Sequence, residues 1–66
     1  MKNNIKIERA RHNFTQGDLA DKVGVSRQTI NSIETKKYIP SAVLALKIAK
    51  IFNMKVDDLF ELEDED

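Results

Sequence analysis

QGDLADKVGVSRQTINSIET, residues 16–35, carries more positional constraints than any other stretch of this 66-residue chain. Counted from Gln16, apolar side chains occupy the fourth, eighth, tenth, fifteenth and eighteenth places: Leu19, Val23, Val25, Ile30 and Ile33. Alanine is fifth and glycine ninth. The spacing is helical on both sides of Gly24. Thr15 stands before the first run with Asp18 three residues on, the pattern of a capping box. Gly24 can end that run by accepting positive φ. Ser26 then caps a second run from Arg27 to about Thr35. Ala20 is small where two helices would cross closely, and the five apolar residues hold them at one angle. The expected unit is two short helices joined by a tight turn.

The second helix turns an unusual face outward. At about 100° per residue, Gln28, Asn31, Ser32 and Thr35 lie roughly opposite the buried Ile30–Ile33 stripe. Arg27 sits at the helix start, where a long side chain can swing toward the same surface. Helix stability does not require these residues, since Lys, Glu and Ala are better surface helix formers. Arg suits guanine and Gln suits adenine, each through paired hydrogen bonds in the major groove. Arg27, Gln28, Thr29, Asn31 and Ser32 are therefore the candidate base-contacting residues, against the alternative of an ordinary solvated face.

Working outward, helix one is expected from about Asn4 to His12, with Ile5 inward and Asn13 as a left-handed cap. Lys36 to Pro40 reads as a loop, because a residue before proline avoids helical geometry. Ser41 caps helix four, whose Val43, Leu44, Leu46, Ile48, Ala49, Ile51 and Phe52 are apolar on more than one side, as a central core helix requires. Asn53 ends it. A fifth helix is expected from Val56 to about Glu61. Phe60 and Leu62 alternate, so residues 60–63 are a candidate short strand beside Met1–Asn3. The class is all-α, five helices with a short terminal strand pair.

Composition narrows the function. Sixty-six residues make one small domain, which buries only about 60% of its unfolded surface. With no Cys there is neither a disulfide framework nor a thiolate zinc site. One His, no glycine-rich phosphate loop and no paired carboxylates on an apolar cleft argue against an enzyme, a metal or cofactor, and a small-molecule ligand. No apolar run approaches a membrane span, and the start lacks a signal peptide's apolar core, so a soluble cytoplasmic protein is expected. The net charge of zero conceals an asymmetry. ELEDED, residues 61–66, holds five of the eleven acids, which leaves six acids against eleven bases in residues 1–60, a body of +5. That division sets a DNA-binding domain at 1–60 and an acidic tail, expected to fray, at 61–66. A basic body suits a polyanion.

The twenty-residue motif, followed by KKYIPS and LALKIAKIF, resembles the Xre and Cro-repressor class of helix-turn-helix regulators, especially its very short members. The resemblance covers about residues 5 to 60. It implies a five-helix, lambda-repressor-like bundle that binds a double-stranded DNA operator as a symmetric homodimer, with helix three in the major groove. Repression by occlusion is expected, since blocking a polymerase needs only occupancy, and a nucleoid-associated location goes with it. Phosphate contacts are expected from Gln16 and its amide at a helix N-terminus, with Thr15, Lys6, Lys36, Lys37 and Ser41 alongside. Lys36 stands where relatives usually carry Gly. The resemblance also pairs Arg9 with Glu34 in a partly buried bridge, which accords with Glu34 lying only ~70° from the buried centre of its helix. Glu8 departs from the class, whose members usually have an apolar residue there. The expected dimer patch is Met54, Val56, Leu59, Phe60 and Leu62. The competing reading is an antitoxin or protein-interaction module whose acidic tail meets a partner.

Overall fold

Capping chemistry sets the helix ends in the computed structural model, which describes all 66 residues. The order is β1 (Lys2–Asn3), α1 (Ile5–His12), α2 (Gln16–Val23), α3 (Arg27–Glu34), α4 (Ala42–Ile51), α5 (Val56–Leu59) and β2 (Phe60–Glu61). Thr15 Oγ1 accepts the Asp18 amide at 3.0 Å while the Thr15 amide donates to the Asp18 carboxylate at 2.9 Å, a complete capping box. That backbone bond, with the hydroxyl bond beside it, holds the Asp18 carboxyl below its usual range. Ser26 and Ser41 cap α3 and α4 by accepting the amides of Thr29 and Leu44. Gly24 ends α2 at φ +78°. Asn13 and Asn53 take left-handed φ of 57° and 54°, a conformation that asparagine tolerates better than most residues.

The core joins every helix. Ile5, Leu19, Ile30, Ile33, Ile48 and Leu59 are fully buried at its centre, with Ala20 and Ala45 where backbones approach. Asn3 ties β1 to the end of α3, its side-chain nitrogen donating to the Ile33 carbonyl at 3.0 Å. β1 and β2 pair antiparallel, Lys2 opposite Glu61 and Asn3 opposite Phe60. The expected terminal strand pair thus forms, but over two residues per strand. It begins at Phe60, which shortens α5 to a single turn instead of reaching Glu61. Glu8 is buried where an apolar residue was expected, with its carboxylate bonded to Arg11 at 3.0 Å.

Two expectations about the C-terminus are corrected. Leu59 is 1% exposed and Phe60 8%, so both fill the protomer's own core and have almost no surface for a second copy. The tail does not fray. Glu63 and Asp66 hydrogen-bond one another's backbone, the Met1 amine lies 3.2 Å from Glu63 and 3.1 Å from Asp66, and Lys36 Nζ lies 3.1 Å from Glu63. Opposite charges brought together by the terminal strand pair hold it down. No helix is long and apolar enough to cross a membrane.

Candidate nucleic-acid interface

α3 lies on the body with Ile30 and Ile33 beneath it, and its polar row faces out. Arg27, Gln28 and Asn31 are exposed, while Thr29 and Ser32 are half-buried. The Thr29 hydroxyl is bonded to Ser26 Oγ at 2.9 Å, which leaves it less free to meet a base. Thr35 Oγ1 donates to the Asn31 carbonyl at 2.9 Å, so that hydroxyl closes the helix end. The side chains of Arg27 and Gln28 have no hydrogen-bond partner within the protein.

Open clefts flank the helix. Ser26, Gln28, Thr29, Ser32 and Tyr38 line one of them. Tyr38 is a residue that sequence reasoning missed; the only signal was an aromatic hydroxyl set in the basic loop KKY. Arg9, Phe14, Thr15, Gln16, Gly17 and Arg27 line another, at the start of α2. The helix itself cannot satisfy the Gln16 and Gly17 amides there, and the Arg27 guanidinium, which has no carboxylate partner, shares the cleft, an arrangement that favours an anion. Of the expected phosphate contacts, Thr15 and Gln16 lie in this cleft. Lys6, Lys37 and Ser41 are exposed but line neither cleft, and the Ser41 hydroxyl is engaged as a cap. Lys36 has φ 64°, the left-handed backbone that a Gly would take without strain, and its ammonium is held by Glu63.

Beneath the interface a polar network joins three helices. Arg9 grips Glu34 with two bonds, Nε to Oε2 at 2.7 Å and Nη2 to Oε1 at 3.0 Å, and donates a third to the Phe14 carbonyl at 3.1 Å. The Glu34 hydrogen bond raises the Arg9 pKa above its ordinary value. Gln16 Nε2 reaches Glu34 Oε1 at 3.3 Å and Asn31 Oδ1 at 3.1 Å. The bridge between positions 9 and 34 thus extends to the outer face of α3, a link that helical periodicity does not reveal.

Elsewhere, Ile39, Val43 and Leu46 are each more than half exposed along one side of α4 and the loop before it. Met54 and Val56, two of the expected dimer residues, continue this side through a hollow that also touches Leu46 and Ala49. Leu62 is 77% exposed.

A model of the helix-turn-helix family matches residues 5–59. A protein of Methanocaldococcus jannaschii described as an uncharacterized HTH-type transcriptional regulator is 59% identical over 66 residues, spanning the whole of both chains. YgzD of Bacillus subtilis, with the same description, is 52% identical over 65 residues and 98% of each chain. The solution structure of the SOS-response transcriptional repressor LexA from Eubacterium rectale is similar at a TM-score of 0.81 and 30% identity, over 96% of this chain and 67% of that one.

Proposed function

Because the chain belongs to the helix-turn-helix family of Xre and Cro type, we propose that it is a sequence-specific DNA-binding transcriptional regulator whose α3 enters the major groove. One observation carries this reading: the outer face of α3 is uncovered and polar, with an anion-favouring cleft beside it. The family is one of DNA-binding regulators and not a class of enzymes. Arg27, Gln28, Asn31 and Ser32 meet base edges, with Thr29 at the margin. The Gln16 and Gly17 amides, Thr15, Lys6, Lys37, Ser41 and Tyr38 meet phosphates on either side. Lys36 joins them once Glu63 lets go. Residues 1–60 form the DNA-binding body, and residues 61–66 edge it with negative charge.

A single recognition helix spans only a few base pairs, so the working unit is a symmetric homodimer on a palindromic operator, with half-sites about one helical turn apart. The face for a second copy runs through Val43, Leu46, Met54 and Val56. Repression by occlusion, which needs only occupancy of the operator, is the mode of action, and the protein resides with the nucleoid. Selection of bound duplexes from a random pool by the full chain tests the reading. Enrichment of a palindrome with that half-site spacing is expected; recovery of no sequence preference overturns it. Sedimentation should show a mass that rises to a dimer with concentration, and a constant monomer mass into the high micromolar range contradicts the dimer.

A further inference from the structure

We infer that the polar network under α3 locks the Asn31 side-chain amide in one orientation, so that Asn31 offers DNA a hydrogen-bond donor and selects guanine over cytosine. The inference rests on the reading that α3 faces base edges, and it adds what Asn31 can recognise there.

The orientation follows from a chain of donors and acceptors that starts in the protein interior. Both oxygens of Glu34 already take N–H bonds from Arg9. Those oxygens act only as acceptors, so the end of Gln16 that lies 3.3 Å from Oε1 must be its NH2 and not its carbonyl. That nitrogen has a second hydrogen, directed at Asn31 from 3.1 Å. The Asn31 atom facing it must therefore accept, which makes it Oδ1. The other end, Nδ2 with two N–H donors, makes no bond within the protein on this exposed residue. Each choice is forced by the one before it, and the first is fixed by the partly buried Arg9–Glu34 pair.

An outward NH2 discriminates among bases by elementary complementarity. Guanine offers two acceptors in the major groove, N7 and O6; thymine offers O4; adenine offers N7 beside a donor; cytosine offers only its N4 donor. Guanine therefore ranks first and cytosine last at the position that Asn31 contacts. A flipped amide, with its carbonyl outward, would favour cytosine instead. The same base pair in its two orientations thus distinguishes the locked amide from the flipped one. Gln16 acts here as a positioning residue, in addition to any contact that it makes with phosphate.

The test measures affinities of the full chain for duplexes carrying each base pair at each operator position. Asn31→Ala identifies the position by flattening preference there. Wild type should favour G·C over C·G at that position by roughly tenfold, the discrimination of one good base contact. Asn31→Asp, which can only accept, should invert the order. Gln16→Ala should bring the ratio toward unity there while leaving other positions as they were. A lost phosphate contact alone would weaken all sequences equally and leave that ratio intact. Wild-type preference for cytosine, an unchanged ratio in Gln16→Ala, or no position affected by Asn31→Ala each overturns the inference while the DNA-binding reading stands. Side-chain amide exchange in the free protein tests the lock without DNA: the Gln16 NH2 protons should be protected and those of Asn31 should exchange freely. The reverse pattern refutes it.

Discussion

Two ionic clusters fasten distant parts of this chain, one beneath the recognition helix and the other across the chain ends. Arg9 and Glu34 join α1 to α3 with side chains only 14% and 7% exposed, in a two-bond geometry that also satisfies Phe14 and Gln16. Met1, Lys36, Glu63 and Asp66 join the termini and the loop after α3 through a network centred on Glu63, which takes both the Met1 amine and a half-exposed Lys36. In the first cluster, losing one partner strands a charge away from water. In the second, water and salt replace whatever is lost. A rigid scaffold for reading bases needs the first kind of attachment. The second kind can open when phosphate competes for Lys36.

The largest expected effect comes from breaking the inner cluster. Glu34→Ala should cost about 3 kcal/mol in denaturant unfolding, because the Arg9 guanidinium loses two of its three bonds and its charge partner. Replacing both residues, Arg9→Met with Glu34→Leu, should cost less than either single change. If the double variant is the less stable, the pair is strongly net stabilising and the contrast between clusters is larger still.

A smaller effect of opposite sign is expected where the outer cluster meets backbone strain. Lys36→Gly deletes a surface ion pair but relieves a left-handed residue, so stability should rise by about 1 kcal/mol. A fall in stability would mean that the tail contact outweighs the backbone term.

The outer cluster itself should register mainly in its pH and salt dependence. The Lys36 hydrogen bond, with the terminal amine behind it, holds the Glu63 carboxyl below its ordinary 4.5. The bond from its own turn, then the amine, holds Asp66 below 3.8. Asp66 in turn raises the Met1 amine above 8.0. The carboxyl contribution is present above those ordinary values and disappears as pH falls through the lowered ones. The amine contribution is present below 8.0 and disappears as pH rises through its raised value. Carboxyl and amine NMR shifts should therefore show the clasp closed from about pH 5 to pH 8, opening only as pH falls through the lowered carboxyl values or rises through the raised amine value, and weakened by salt throughout. Insensitivity of these shifts to Lys36→Gly would remove Lys36 from the cluster.

The two clusters also mark how far the sequence could be read. Capping residues, Gly24 and the helical spacing of Leu19, Val23, Ile30 and Ile33 act locally, so the two central helices and their outward face were legible before any coordinates. The Arg9–Glu34 pair was accessible only through family resemblance. Its continuation through Gln16 to Asn31 depends on how α2 and α3 cross, which no single helix's periodicity contains. Leu59 and Phe60 show the same limit. Their spacing marks an apolar face but does not tell whether that face meets the protomer's own core or a second copy. Five acids within the last six residues give no sign of a partner in sequence; the terminal strand pair, by bringing the Met1 amine and Lys36 close, holds the tail down.

The central claim is that the outer face of α3 reads base edges, and Gln28 tests it most cleanly because its exposed side chain makes no hydrogen bond inside the protein. Binding of wild type and Gln28→Ala should be compared on the selected operator and on random duplex at one salt concentration. The account predicts a loss of about 1–3 kcal/mol on the operator, confined to one base position, with affinity for random DNA unchanged. Equal weakening on both duplexes, or none on either, would contradict it.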